Sequence, residues 1–304
     1  MRTNDRLIFL FGPTGVGKTE LLSQLFASGY HIVNADSKQI YRHLDIGSAK
    51  PSKELRATIP HYLIDIKEPW ESFSVGEFVR LADEACKQIV SQGKTPLLCG
   101  GTAYYFKHFY YGMPPSPPSN PAVRNKIALE VQTNGLEATY KRLQSIDPLS
   151  AAKIHPSDSY RIRRALEVYE TSGQILSSYV MPDKPRNGLT PLIIGLSRTP
   201  EELHQRIALR VRHMFASGLK EEVQQLLTMG ATALWPGMQG IGYQEFFTAQ
   251  EGEVEALIIR NSRRYAKRQM TFFRSLGEVN WVHPENLEHI KRLVDAYMES
   301  SVNG

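Results

Sequence analysis

An octapeptide near the N-terminus constrains the fold of this chain more than any other stretch. An apolar run at residues 7–11 precedes it and a helical pattern starts at Glu20, so the sequence predicts a strand, a glycine-rich loop and a helix. The spacing G-x-x-x-x-G-K-T is that of a phosphate-binding loop (P-loop), in which backbone N–H groups surround a phosphate. We therefore predict a di- or triphosphate site with Mg²⁺ on the Thr19 hydroxyl. The loop residues are Gly12, Pro13, Thr14, Gly15, Val16, Gly17, Lys18 and Thr19.

Two further strand ends carry polar side chains. A strand at residues 31–35 delivers Asp36 at its C-terminal end, and a strand at 95–99 ends at Gly100-Gly101-Thr102. Ligands of parallel sheets bind at that edge, so a carboxylate and a hydroxyl are expected beside the phosphate site. The simpler interpretations are a helix cap at Asp36 and a plain glycine turn before Thr102.

The order of strands and helices predicts an α/β fold with a P-loop and a mostly parallel sheet flanked by helices. A further short strand is expected at residues 61–66. The proline-rich stretch 114–121 is incompatible with a helix interior or a central strand and marks a boundary. We predict a catalytic core of residues 1–114 and 190–304, and an all-helical insertion of residues 115–189 that contacts nucleic acid.

Two helix starts are visible in the sequence alone. Ser74 followed by Glu77 forms a capping box, and Thr199-Pro200 followed by Glu202 forms a second one with proline at the first helical position. We therefore predict that helices begin immediately after Ser74 and Thr199.

A basic segment lies between residues 260 and 274, in a helical pattern expected from Tyr243 onward. It has six positive and no negative side chains, and most of the positive ones fall on one side of a helix opposite apolar residues. Solvated faces usually mix charges, so this pattern favours a polyanion contact over a merely solvated face. Arg161, Arg163 and Arg164 form a smaller basic cluster in the insertion.

Composition narrows the class of protein. The net charge of +5 permits an anionic partner without requiring one. The two cysteines, Cys86 and Cys99, lack metal-ligand spacing and are expected to be reduced thiols of a cytoplasmic protein. No apolar run approaches the roughly 18 to 20 residues that a membrane span needs. We expect a monomer with no membrane contact.

Taken together, these motifs resemble those of the tRNA dimethylallyltransferases (tRNA isopentenyltransferases), in their short bacterial form. The resemblance runs from about Leu7 to Trp281, and the set of motifs in this order is highly specific. Its motifs are the P-loop, Asp36-Ser37 with Tyr41-Arg42, Asp45-Ile46-Gly47-Ser48-Ala49-Lys50-Pro51, Gly100-Gly101-Thr102, Arg161 to Arg164 with Ala165-Leu166-Glu167-Val168, Gly242-Tyr243-Gln244 and Lys267-Arg268-Gln269.

The resemblance implies transfer of a dimethylallyl group from dimethylallyl diphosphate to N6 of adenosine 37, in tRNAs that read codons beginning with U. It implies that Lys18 and Arg210 stabilise the departing diphosphate, that Thr102 hydrogen-bonds its bridging oxygen and that Asp36 takes the N6 proton. The tRNA anticodon stem-loop is then the partner. Expected tRNA contacts are Asp36, Ser37, Lys38, Gln39, Thr102, Arg124, Arg161, Arg163, Arg164, Gly242, Tyr243, Gln244, Arg263, Arg264, Lys267, Arg268 and Arg274.

Two other functions remain open at the level of sequence. A P-loop kinase for small molecules would use similar parts, although the strand at 95–102 lacks the carboxylate that usually holds Mg²⁺. Asp65 is the remaining candidate for that carboxylate. The second alternative is a non-catalytic RNA-binding protein whose P-loop senses a nucleotide.

Overall fold

A six-stranded parallel sheet forms the centre of the molecule in the computed structural model, which describes residues 6–300 apart from the side chain of Glu251. Its spatial order is β3-β2-β4-β1-β5-β6. The strands are β1 (Ile8–Phe11), β2 (Tyr30–Asn34), β3 (His61–Tyr62), β4 (Thr95–Gly100), β5 (Leu192–Leu196) and β6 (Asn280–Val282).

Eleven α-helices accompany these strands within residues 6–300. Their bounds are α1 (Lys18–Leu25), α2 (Lys53–Thr58), α3 (Val75–Ser91), α4 (Ala103–Tyr111), α5 (Pro121–Ile146, broken at Gly135), α6 (Pro148–Ala151), α7 (Ser159–Ser172), α8 (Pro200–Ala216), α9 (Leu219–Thr228), α10 (Val254–Phe273) and α11 (Leu287–Glu299). No helix in this part of the chain is both long and apolar enough to cross a membrane.

The burial of the central strand β1 indicates that the sheet is covered on both faces. Every side chain of β1 is buried, as are those of β5 beside it, which is typical of parallel strands with helices on each face. Register pairs Phe11 with Gly100 on one side and with Gly195 on the other. Parallel pairing brings the C-terminal ends of β1, β2, β4 and β5 to one edge, and the predicted α/β fold is confirmed.

The chain divides into two compact units. The first comprises residues 1–110 and 186–304 and contains the sheet; the second comprises residues 111–185 and contains α5, α6 and α7. The second unit has its own apolar core, in which Ile127, Leu143, Ile162 and Leu166 are fully buried. Its elements within the described range are helical.

Both predicted helix starts are confirmed, but at Ser74 only the serine half of the capping box forms, because the Glu77 carboxylate pairs with Lys67 at 3.1 Å. The Ser74 hydroxyl accepts the N–H of Glu77 at 3.1 Å at the start of α3, and Thr199 and Glu202 cap each other's backbone at the start of α8. The strand expected at 61–66 is wrong beyond Tyr62, because Leu63 and Asp65 adopt positive φ angles that end the pairing. The helix expected from Tyr243 begins only at Val254, after two short 3₁₀ turns.

Candidate active site at the carboxyl edge of the sheet

The P-loop joins β1 to α1 with two glycines in left-handed conformations. Gly15 has φ +80° and Gly17 has φ +113°, values that residues with a Cβ rarely adopt. The Lys18 ammonium donates to the carbonyl oxygens of Gly12 at 2.8 Å and Pro13 at 3.0 Å. An ammonium has three donors, so one remains for a phosphate oxygen.

Two arginines that follow strand β5 in the sequence donate hydrogen bonds to the P-loop backbone. Arg206 on α8 donates from Nε to the carbonyl of Gly15 at 2.9 Å and forms an ion pair with Glu20 at 2.6 Å. Arg198 donates from Nε to the carbonyl of Val16 at 3.0 Å. These contacts fix the loop before any ligand arrives, which is the preorganisation that anion binding requires.

Thr19 is the exposed second residue of α1 and the protein donor expected for Mg²⁺. No group of three or more His, Cys, Asp or Glu side chains within residues 6–300 is arranged to hold a metal ion. Mg²⁺ commonly binds through one or two protein oxygens while phosphates and waters fill its remaining positions. A single hydroxyl beside a phosphate loop therefore fits Mg²⁺ as a companion of a bound diphosphate.

Asp36 follows β2 and uses its two carboxylate oxygens differently. Oδ1 accepts the backbone N–H of Lys38 at 2.9 Å and that of Gln39 at 3.4 Å, so it caps the turn that follows. Oδ2 forms no hydrogen bond within the described part of the chain. The cap expected as the simpler interpretation is thus present, and the second oxygen remains available to a ligand.

Lys18 and Arg210 interact electrostatically with Asp36 and with each other. Burial lowers the pKa of Lys18 to about 8, and Asp36 opposes that effect. Burial also lowers the pKa of the Arg210 guanidinium, again against Asp36. Arg210 makes no hydrogen bond or ion pair with the residues described. Two partly desolvated cations beside a carboxylate form a site that an anionic ligand would complete.

Thr102 connects the ends of β4 and β2. Its Oγ1 accepts the N–H of Ser37 at 3.0 Å, and its own N–H donates to the carbonyl of Ala35 at 3.1 Å. A Cβ at Gly100 would lie 2.2 Å from that carbonyl oxygen, so only glycine permits the approach. Thr102 is thereby held beside Asp36, and its hydroxyl proton can be donated to a ligand.

The side chains of Lys38 and Gln39 are occupied within the protein. The Lys38 ammonium donates to the carbonyl of Pro236 at 2.8 Å, and burial lowers its pKa to about 8. The Gln39 amide donates to the carbonyl oxygens of Ser48 and Ala49. Their expected RNA contacts stay predictions, and these side chains would first have to exchange partners.

The segment Gly242-Tyr243-Gln244 is also anchored internally. Tyr243 is fully buried and donates its hydroxyl to Glu222 at 2.7 Å, and the same carboxylate accepts three consecutive backbone N–H groups of residues 45–47. Gly242, at φ +102°, packs against Gly47. Gln244 is half-buried and contacts the side chain of Glu245. A direct RNA contact of the Tyr243 side chain is incompatible with its burial, whereas Gln244 remains accessible.

Helix α10 and the residue that caps its C-terminus present a basic face, defined here as Arg263, Arg264, Lys267, Arg268 and Arg274. All five side chains are exposed, and none forms an ion pair with an acidic residue of the described chain. Arg268 lies 5.8 Å from the Tyr265 ring centroid, and Lys107 of α4 lies 5.6 Å from that of Phe272. Unpaired cations interleaved with aromatic rings are typical of nucleic-acid surfaces.

The arginines of the second unit differ from one another. Arg124 is exposed and contacts Ser119, and Arg161 is exposed with a 3.2 Å ion pair to Asp158. Arg163 is half-buried and donates to the carbonyl of Ser159 at 3.2 Å. Arg164 has a structural role as well, because it donates to the carbonyl of Pro117 at 2.6 Å and forms an ion pair with Glu167 at 3.2 Å. Arg124 and Arg161 are the better candidates for RNA contacts.

The negative charge of Asp65, the alternative Mg²⁺ ligand of a kinase, is balanced by two neighbouring cations. It forms ion pairs with Lys50 at 2.5 Å and Arg56 at 2.7 Å, and their hydrogen bonds lower its pKa although burial opposes them. It follows β3, which β2 and β4 separate from the P-loop strand β1. This carboxylate is therefore not positioned to hold a metal at the P-loop.

Sequence reasoning missed the side chains that fix the P-loop from a distance. Arg198, Arg206 and Gln269 each contact its backbone, over sequence separations of 182 to 255 residues. Arg206 shares a helical face with Arg210, and Gln269 ends the motif Lys267-Arg268-Gln269, so both were visible as motif members. Their partners in the P-loop backbone could not be predicted, because no local sequence pattern encodes contacts over such separations.

Known proteins are similar to this chain over nearly its whole length. A model described as IPP transferase matches residues 39–276. The tRNA dimethylallyltransferase of Geobacter sulfurreducens is 40% identical over 302 residues, covering 96% of this chain and 96% of that protein. That of Halorhodospira halophila is 40% identical over 308 residues, covering 98% of each.

Solved structures agree with this result. The full-length tRNA isopentenylpyrophosphate transferase of Bacillus halodurans has a TM-score of 0.70 and 32% identity, covering 99% of each chain. A eukaryotic dimethylallyltransferase acting on tRNA has a TM-score of 0.76 over 99% of this chain and 79% of its own, and at 24% identity it shows the shared fold alone. Because the sequence matches extend over nearly the whole chain, this protein belongs to the IPP transferase family.

Proposed function

We propose that this protein is a tRNA dimethylallyltransferase that moves a dimethylallyl group from dimethylallyl diphosphate to N6 of adenosine 37, in tRNAs reading codons that begin with U. The names of its relatives support the reaction class. The observation that carries the proposal is the free Oδ2 of Asp36, next to a P-loop and two cations. One site thus offers a base for the acceptor and counter-charges for the leaving group.

Departure of the diphosphate is the first chemical requirement. An allylic diphosphate ionises toward a carbocation and pyrophosphate, so positive groups that face the developing anion lower the barrier. Lys18 keeps one donor free of the Gly12 and Pro13 carbonyls, and Arg210 has no partner within the described residues. Thr102 can donate its hydroxyl proton to the oxygen that bridges the allyl group and the diphosphate.

The acceptor amine needs a base and an orientation. The N6 lone pair is delocalised into the purine ring, so the C–N bond forms well only if the proton leaves at the same time. Asp36 Oδ2 accepts that proton while Oδ1 keeps the carboxylate in place by capping the turn. The base must leave the anticodon-loop stack to reach this group.

Binding of the tRNA is assigned to charged surfaces outside the reaction centre. The basic face of α10 would contact phosphates, and Arg124 and Arg161 would add contacts from the second unit. We further propose that the protein acts as a monomer in the cytoplasm, where its tRNA substrates are found. Thr19 would hold Mg²⁺, which when bound neutralises charge on the diphosphate oxygens.

One experiment separates this function from its rivals. The protein is incubated with Mg²⁺ and unmodified tRNA, together with either labelled dimethylallyl diphosphate or γ-labelled ATP. We expect the allyl label to enter tRNA at adenosine 37 and the γ-phosphate to stay on ATP. Movement of the phosphate label would indicate a kinase, and movement of neither label, with tRNA still bound, a non-catalytic RNA-binding protein.

A further inference from the structure

The inner side of α10 carries a buried amide that joins two loops of the site. Gln269 is 4% exposed. Its Oε1 accepts the N–H of Thr14 in the P-loop at 3.0 Å, and its Nε2 donates to the carbonyl of Gly101 at 2.6 Å. A Cβ at Gly101 would lie 2.7 Å from Nε2, so the glycine allows this approach. One side chain thus bridges the segments that follow β1 and β4.

This bridge is the hydrogen-bonded link between those loops beyond the sheet. Pairing of strands β1 and β4 ends at Phe11 and Gly100. Within residues 6–300, no other hydrogen bond joins the P-loop to Gly101 or Thr102. The link continues from Gly101 to the adjacent Thr102, whose Oγ1 accepts the N–H of Ser37 beside Asp36.

A tyrosine one helical turn earlier supports the same arrangement. Tyr265 lies at i−4 from Gln269, so the two share a face of α10. Its phenol interacts with the side chains of Thr102 and Gln269, and burial raises its pKa to about 12. The phenol is therefore neutral at pH 7. Lys267 is exposed and lies about 160° around the helix from Gln269, so one helix serves both the reaction centre and the basic surface.

We propose that Gln269 is a positioning residue for the transfer reaction, because its amide sets the distance between the loop that holds the diphosphate and the loop that carries Thr102. The inference rests on the proposed function. Leaving group and acceptor must meet in line, and a displacement of about 1 Å can reduce a rate about 10²-fold. Loss of the bridge should therefore slow the chemical step more than it weakens the binding of either substrate.

Two substitutions of nearly equal size test this role. Gln269→Met removes both hydrogen bonds. Gln269→Glu keeps an acceptor for Thr14 but, when ionised, turns a carboxylate oxygen toward the carbonyl of Gly101. A protonated carboxyl group again has one donor and one acceptor, so protonation restores the wild-type pattern. Burial raises the pKa of such a carboxyl group, which brings the recovery into an accessible pH range.

The measurement is single-turnover dimethylallylation of tRNA with saturating donor and tRNA, from pH 6 to pH 8. We expect Gln269→Met to be about 10²-fold slower than wild type at every pH, with pyrophosphate and tRNA affinities within about threefold. The rate of Gln269→Glu relative to wild type should rise at least tenfold as pH falls from 8 to 6. Ile89→Val, a core substitution near the end of α3, which leads into the start of β4 at the edge of the sheet opposite these loops, should react at the wild-type rate per folded molecule.

Each result is decisive. A Gln269→Met rate within threefold of wild type would overturn the inference, and so would a Gln269→Glu rate that stays far below wild type and does not recover as the pH falls. If Gln269→Met does not fold, the pH series of Gln269→Glu still decides. Absence of transfer by the wild type would instead overturn the proposed function, and the inference with it.

Discussion

Replacement of Asp36 by asparagine separates the observed capping role of its carboxylate from the proposed role as a base. Oδ1 caps the turn through the N–H groups of Lys38 and Gln39, and Oδ2 has no partner in the described chain. In Asp36→Asn the amide oxygen can take the place of Oδ1, because only an acceptor satisfies those N–H groups. The NH₂ group then occupies the place of Oδ2, where it faces the N6 amine as a donor facing a donor.

The expected magnitudes follow from these contacts. Asparagine and aspartate cap almost equally well, so the free energy of unfolding should change by less than about 0.5 kcal/mol. Loss of a general base typically costs about 10² to 10⁴ in rate, or about 3 to 5 kcal/mol of barrier. Donor binding should not weaken, since removal of a negative charge beside Lys18 and Arg210 leaves more net positive charge for the diphosphate.

Asp36→Ala provides the paired variant. It loses both the cap and the base, so its free energy of unfolding should fall by about 1 kcal/mol while its rate falls as far as that of Asp36→Asn. The assay is single-turnover dimethylallylation at saturating tRNA and donor, accompanied by denaturant unfolding of each variant. An Asp36→Asn rate within about threefold of wild type would remove Asp36 from the chemistry and leave it only as a cap.

Three further outcomes are expected. Burial lowers the pKa of Lys18 from 10.5 to about 8, so above pH 8 the binding of pyrophosphate requires that Lys18 first take up a proton. The affinity for pyrophosphate, measured by calorimetry, should therefore have a component that weakens from pH 8 to pH 10. This component should be absent in Lys18→Arg. Gly100→Ala places a Cβ 2.2 Å from a carbonyl oxygen and should lower the free energy of unfolding by about 3 kcal/mol or more, whereas Gly252→Ala, with open space, should change it little; thermal unfolding measures both. Lys267→Ala should reduce the salt slope of tRNA binding by about one, and Arg292→Ala on α11 should leave that slope unchanged.

The parts of the fold that the sequence predicted are those encoded by near neighbours. The helix caps at Ser74 and Thr199 involve residues three apart, and the P-loop is one short segment. The strand predicted at 61–66 failed because a distant contact decides the backbone there. Leu63, at φ +63°, ends the strand after two residues, and Asp65, also left-handed, forms ion pairs with Lys50 and Arg56.

In the candidate site, too, the residues at strand ends were predictable from the sequence, and the contacts between distant segments were not. Asp36 and Thr102 were recognisable because each follows a strand of a parallel sheet, which places it at a known edge. That Tyr243 is fully buried was not recognisable, because its partner Glu222 lies 21 residues earlier, on α9. The bridge by Gln269 spans 255 residues to Thr14 and required the folded chain.

The position of the carboxylates also bears on the choice between alkyl and phosphoryl transfer. A P-loop kinase needs an acidic side chain that holds Mg²⁺ against the β- and γ-phosphates. The candidate for that role, Asp65, is bound by two cations on the far side of β2 and β4. Asp36 does lie beside Lys18 and Arg210, but its Oδ1 is committed to the turn and only Oδ2 is free. A single free oxygen suits the removal of one proton from an amine. The Gln269 amide holds Gly101, and the next residue, Thr102, lies at the same edge of the sheet. That edge can therefore hold the leaving group opposite the amine.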